Sequence, residues 1–158
     1  MLKPGRKVDS WITDFIYDSS ASAAVSPGGV VSVVTTASGE GLDSSTNVCA
    51  YHANGSGVTA LGILVPGVTV DNVTQNPRNL QKNEVPRGAK VEIISEGWAI
   101  TNMYLGTPTG GAQAQLAASG YVALGSHTQT VGNVNVGYFL SSPDEDGYLK
   151  LFVRCPVS

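Results

Sequence analysis

QKNEVPRGAKVEIISEGWAITNMY, residues 81–104, carries the clearest strand signal in the chain. Two apolar runs flank Ser95-Glu96-Gly97, and a Pro-Arg-Gly turn leads into the first. Val91 and Ile93 fall at alternate positions in one run, and Trp98 and Ile100 do so in the other. That period of two is expected of half-buried strands. Gly97 tolerates the positive φ of a tight connection. The stretch therefore predicts a β-hairpin turning at 95–97, with shorter strands on either side pairing or packing with it.

Working outward, 158 residues suit one compact body with a terminal extension. A hydrophobic fraction of 42% supports a core without help from metal or disulfide. Charged residues make up only 13%, about half the usual share, which hints that part of the surface is covered by a partner. The 19 glycines and 8 prolines, among many Ser, Thr, Asn and Val, point to numerous short strands joined by turns. A net charge of −3 argues against a general nucleic-acid binder. MLKPGRK begins like a signal peptide, but Val8-Asp9-Ser10-Trp11 stands where the apolar region would be. With no apolar run near membrane-spanning length, the expectation is a soluble protein made in the cytoplasm. Cys49 and Cys155 read as buried free thiols rather than a disulfide framework.

Strands are expected at 30–36, 47–53, 59–65, 121–124, 134–140 and 148–153, with a possible edge strand at 68–73. Loops are expected at 37–46, 75–82, 106–111, 125–133 and 141–147. Residues 112–118 have helical composition, but the Ser119-Gly120 turn and the strand after it favour a β reading. Strands every 8–12 residues with no convincing amphipathic helix predict an all-β fold, a small β-barrel or sandwich. Residues 1–24 stand apart. Lys3, Arg6 and Lys7 hold three of the chain's nine basic residues, and Trp11, Phe15 and Tyr17 follow. Either the aromatics enter the core as a first strand or short helix, or this is an arm that lays them on a neighbour. The division is 1–24 as N-terminal arm and 25–158 as β-rich body.

Few residues suggest chemistry. His52 follows Tyr51 in a strand and His127 lies in a polar loop, with no triad spacing around either. Cys49 and His52 form a short-spaced pair without a second pair to complete a metal site. Asp144-Glu145-Asp146-Gly147 lacks the spacing of a calcium loop and reads as a solvated hairpin tip; the alternative is that it meets a partner's basic patch, for which Arg78, Lys82, Arg87 and Lys90 are the mid-chain basic set. Glu92 and Glu96 read as solvent-facing carboxylates rather than an acid/base pair. The sequence thus assigns no catalytic, cofactor or metal residue and predicts a non-enzyme.

The order of segments is informative. LeuLysProGlyArg (2–6) precedes GlyGlyValVal (28–31), AsnValCysAlaTyr (47–51) and LeuGlyIleLeuVal (61–65). AsnLeuGlnLysAsnGluVal (79–85), ThrAsnMet (101–103), GlyThrPro (106–108) and PheLeuSerSerProAspGluAspGlyTyrLeuLysLeu (139–151) follow. Over nearly its whole length the chain resembles the capsid cement, or decoration, proteins of tailed bacteriophages, most specifically at 81–85 and 139–148. The resemblance implies a structural protein on the outer surface of an icosahedral virion. It would bind the phage major capsid protein, as a homotrimer or else a dimer, with N-terminal arms crossing capsomers. Lys3, Arg6, Lys7, Trp11, Phe15 and Tyr17 are the expected capsid or subunit contacts. No nucleic acid, membrane or cofactor is implied. The alternative is a carbohydrate-binding β-module that uses Trp11, Tyr51, Trp98, Tyr104 and Tyr121 as stacking faces.

Overall fold

The computed structural model describes residues 2–3, 8–17, 25–34, 47–52, 58–65, 84–85 and 87–155. The expected edge strand at 68–73, the loop at 75–82, Arg6, Lys7 and most of the 81–85 segment lie outside them. Eleven strands form one continuous sheet: β1 (Leu2–Lys3), β2 (Val8–Tyr17), β3 (Val30–Val33), β4 (Asn47–Ala50), β5 (Ala60–Val65), β6 (Lys90–Thr101), β7 (Tyr104–Leu105), β8 (Gln113–Ala117), β9 (Val122–Leu124), β10 (Thr130–Phe139) and β11 (Leu149–Arg154). The protein is all-β, as its spacing predicts, and five of these strands close into a barrel.

The barrel runs β2-β4-β3-β5-β6 and returns to β2, which pairs with both β4 and β6. β2 lies parallel to β4 and antiparallel to β6. Beyond the barrel the sheet continues from β6 through β11, β10, β8 and β9 to β7. β6 is therefore the spine of the molecule. Its first half pairs with β5 and its second half with β11, while β2 and then β1 follow its other side.

The predicted hairpin is not there. Residues 90–101 form one twelve-residue strand, and Ser95-Glu96-Gly97 is an irregular step inside it. Gly97 takes φ 142 while facing Val153 on one side and Val8 on the other. The register of β2 slips at the same place, opposite Gly97, Glu96 and Ile94. Glycine here bends a strand without ending it, because both neighbours keep their ladders through the bend. The step also resets which residues point inward. Ala99 and Thr101 are buried, whereas Trp98 and Ile100 are half-buried on the other side, the reverse of the phase expected from the sequence.

Two cores result. Phe15, Tyr17, Val31, Cys49, Leu64, Val85, Val91 and Ile93 fill the barrel. A second cluster, including Val30, Ile63, Ile94, Leu116, Phe139, Leu151 and Val153, lies where the barrel wall meets the outer sheet. The doublets Val30-Val31, Ile63-Leu64 and Ile93-Ile94 send one side chain into each core. Strands buried on both faces lose their alternation, so these segments read as continuous apolar runs.

Elsewhere the strands start and stop close to expectation. Residues 113–117 are extended, so the β reading of that helical-looking segment holds. β10 begins at Thr130, inside the expected 125–133 loop, and contains Gly132 and Asn133 at positive φ. Both cysteines are buried and neither forms a disulfide, and they belong to different cores. Burial pushes the Cys155 thiol from 9.0 up to about 12. The folded thiol thus keeps its proton where the unfolded one ionises, so its contribution to stability is intact below pH 9 and declines as pH rises towards about 12. For one such group the decline is about 1.4 kcal/mol per pH unit. Urea midpoints measured across this range should fall less steeply for Cys155→Ala than for wild type.

Candidate functional site

The junction between barrel and outer sheet is organised by Tyr51, just past β4. Its hydroxyl donates to the Ser26 carbonyl at 2.6 Å and accepts the Gly29 N–H at 3.1 Å. The ring meets Tyr17 edge-on, with centroids 6.1 Å apart at 74°. On another side it packs on Gly120, where a Cβ would lie 2.8 Å from Tyr51 Cε1. Thr101, fully buried at the end of β6, completes the stitching. Its hydroxyl donates to the Gly28 carbonyl at 2.7 Å and accepts the Met103 N–H at 3.0 Å. Burial raises the pKa of the Tyr51 phenol, and the Gly29 hydrogen bond offsets this only in part. A neutral phenol locked between two turns is a structural clamp rather than a nucleophile or base. This role is not legible in the sequence, where Tyr51 reads as one more strand aromatic and a candidate stacking face.

The other candidates from the sequence are locally engaged. The His127 Nδ1 accepts the Gln129 N–H at 3.2 Å, and its carbonyl accepts the Thr130 hydroxyl. The His52 carbonyl accepts the Ser119 N–H at 2.6 Å, while its buried Nε2 has no hydrogen-bond partner among the described residues. Among the described residues no three His, Cys, Asp or Glu side chains gather as a metal site. Glu96 lies 3.8 Å from the Arg154 Nε in an exposed pair, a kind that adds little stability. Asp144 caps its own turn, as its Oδ1 accepts the Asp146 and Tyr148 N–H groups at 3.1 and 2.7 Å.

Of the expected contact residues, those described lie along β6 or in the barrel. Lys3 stands opposite Ile100 in β1, and Trp11 stands opposite Ile94 in β2. Six residues of strand separate these positions, about 20 Å. Phe15 and Tyr17 are buried in the barrel at 6% and 2% exposure. The aromatic stretch is therefore a barrel stave at its C-terminal end, and Phe15 and Tyr17 anchor it.

One surface stands out among the described residues. Tyr138 and Leu140, 53% and 50% exposed, are the large exposed hydrophobics, and they flank the fully buried Phe139. Tyr138 is level with Phe152 on β11, and Phe152 is level with Trp98 on β6. The Lys150 Nζ sits 4.1 Å from the Trp98 ring centroid, within cation–π range. The patch borders the structured 141–147 loop and its acidic tip.

No protein-family model and no curated protein matches this chain. Among the described residues, no helix is long and apolar enough to cross a membrane.

Proposed function

We propose that this chain is a structural virion protein that binds the outside of a phage capsid and cements neighbouring capsomers. One observation carries the reading. The most specific part of the resemblance, residues 139–148, forms a hydrogen-bonded loop whose base exposes Leu140, next to Tyr138. Exposed apolar groups beside a rigid polar rim are typical of interaction surfaces. The basic start of the chain, Lys3, Arg6 and Lys7, supplies a second contact, with Phe15 and Tyr17 fixing its root in the barrel. Several weak contacts on one oligomer, a homotrimer in this reading, become strong when they engage adjacent capsomers together. The partner is the major capsid protein, and the protein's location is the outer face of the virion.

Removing residues 1–20 would take out a barrel strand along with the arm, so point changes make the cleaner test. Wild-type protein should co-sediment with expanded heads of the phage that encodes it. The Lys3→Glu/Arg6→Glu/Lys7→Glu and Tyr138→Ser/Leu140→Ser proteins should each bind at least tenfold more weakly, with unchanged melting temperature. Failure of wild type to bind heads would end this reading; equal binding by both variants would remove these contacts from it.

A further inference from the structure

A cleft of about 310 Å³ lies where Val58-Thr59-Ala60, at the start of β5, faces Gly132-Asn133-Val134-Asn135 of β10. That is at the lower end of the size range for small-molecule sites. Its lining combines the Thr59 hydroxyl and the Asn133 and Asn135 amides with Val58, Ala60 and Val134. None of the described lining residues is charged.

The polar part of this cleft is held in place from behind. Gln115, paired in register with Asn135, is only 9% exposed, and its Nε2 donates to the Asn135 Oδ1 at 3.1 Å. The other side of the Gln115 amide rests on Gly125, where a Cβ would lie 3.0 Å from Nε2 and 3.2 Å from Oε1. The buried Gln115 Oε1, without a hydrogen-bond partner among the described residues, completes the picture. Such an acceptor costs about 1–3 kcal/mol, and the side-chain bond that this amide does make fixes a residue of the cleft. Gly132 and Asn133, both left-handed at φ 58 and 56, set the bend that brings Asn133 to the same rim.

We propose that this cleft binds a neutral, hydroxyl-bearing ligand the size of a single sugar ring. An amide offers a donor and an acceptor side by side, as a sugar hydroxyl does. The small apolar side chains suit the C–H face of such a ring. A described lining without charge disfavours phosphates, carboxylates and amines, whose desolvation those residues would not compensate. This inference is independent of capsid binding and is read on the isolated protein.

The test is a titration of the full-length chain with free glucose, galactose, mannose and N-acetylglucosamine, followed by amide chemical shifts. At least one sugar should shift resonances of Thr59 and residues 132–135 saturably. Asn135→Leu should weaken that binding at least tenfold. Asn133→Gly keeps the left-handed backbone, so it should also bind at least tenfold more weakly while remaining folded. Glucose 6-phosphate should bind no better than glucose. The proposal is overturned if none of the four sugars shifts these residues, if both variants bind like wild type, or if the charged sugar is preferred.

Discussion

A Gly62→Ala protein is expected to lose roughly 2–6 kcal/mol of stability, a large share of the total for a domain of this size. Gly62 sits in β5 at φ 147, facing Val31 of β3. Any Cβ there would drive into the Ile94 carbonyl oxygen of β6 and lie 2.9 Å from Ile93 Cγ2. The backbone of β6 cannot retreat, because β2 pairs along its other side. Two costs therefore add. A strained φ costs about 1–3 kcal/mol, and overpacking of a filled core costs about another 1–3 kcal/mol. Gly111→Ala separates them, because Gly111 also has positive φ, 85, but no atom within 4 Å of a new Cβ. It should lose only the first cost. Urea unfolding of both proteins measures the difference, and equal losses would show that β5 and β6 are not in such close contact.

The second large effect is at Tyr51. Tyr51→Phe removes a hydroxyl that serves two backbone groups and leaves the buried Gly29 N–H without its partner, a loss of about 1–3 kcal/mol. Tyr51→Ala also removes the ring from between Tyr17 and Gly120. Deleting an aromatic from such a place costs about 3–5 kcal/mol, which for a chain of this length lowers the melting temperature by about 10 °C. Calorimetry on the two variants would check both steps. If Tyr51→Phe alone unfolded the protein as far as Tyr51→Ala, the hydroxyl and not the packing would be the essential part of the clamp.

The fold class was readable because turn residues punctuate short β-branched runs. The barrel was less so. Ile63-Leu64 and Ile93-Ile94 look like ordinary apolar strands until a second core is known to lie behind them. The missed spine has a definite cause: Ser95-Glu96-Gly97 is good turn chemistry, and only the partners on both sides of β6 hold it extended. The outward phase of Tyr138 and Leu140 around Phe139 was visible as alternation, yet alternation does not say which face meets solvent. Gln115 gave no signal at all, since a glutamine in a strand is ordinarily a solvent-facing residue and its burial depends on Gly125, ten residues away. Tyr51 was equally silent, because its partners at 26–29 and 120 come together only after the sheet closes.

The course of β1 and β2 along β6 has a mechanical consequence. Both run antiparallel to the spine, with Leu2 level with Thr101 and Ile16 level with Lys90. Tension applied to the start of the chain along this line is shared by many hydrogen bonds in shear, so no single rung has to open first. The same tension applied across the strand would unzip β1 and then β2 one pair at a time. The start of this chain is thus strong under load in one direction and weak in the perpendicular one, and the force it withstands depends on the angle of pull.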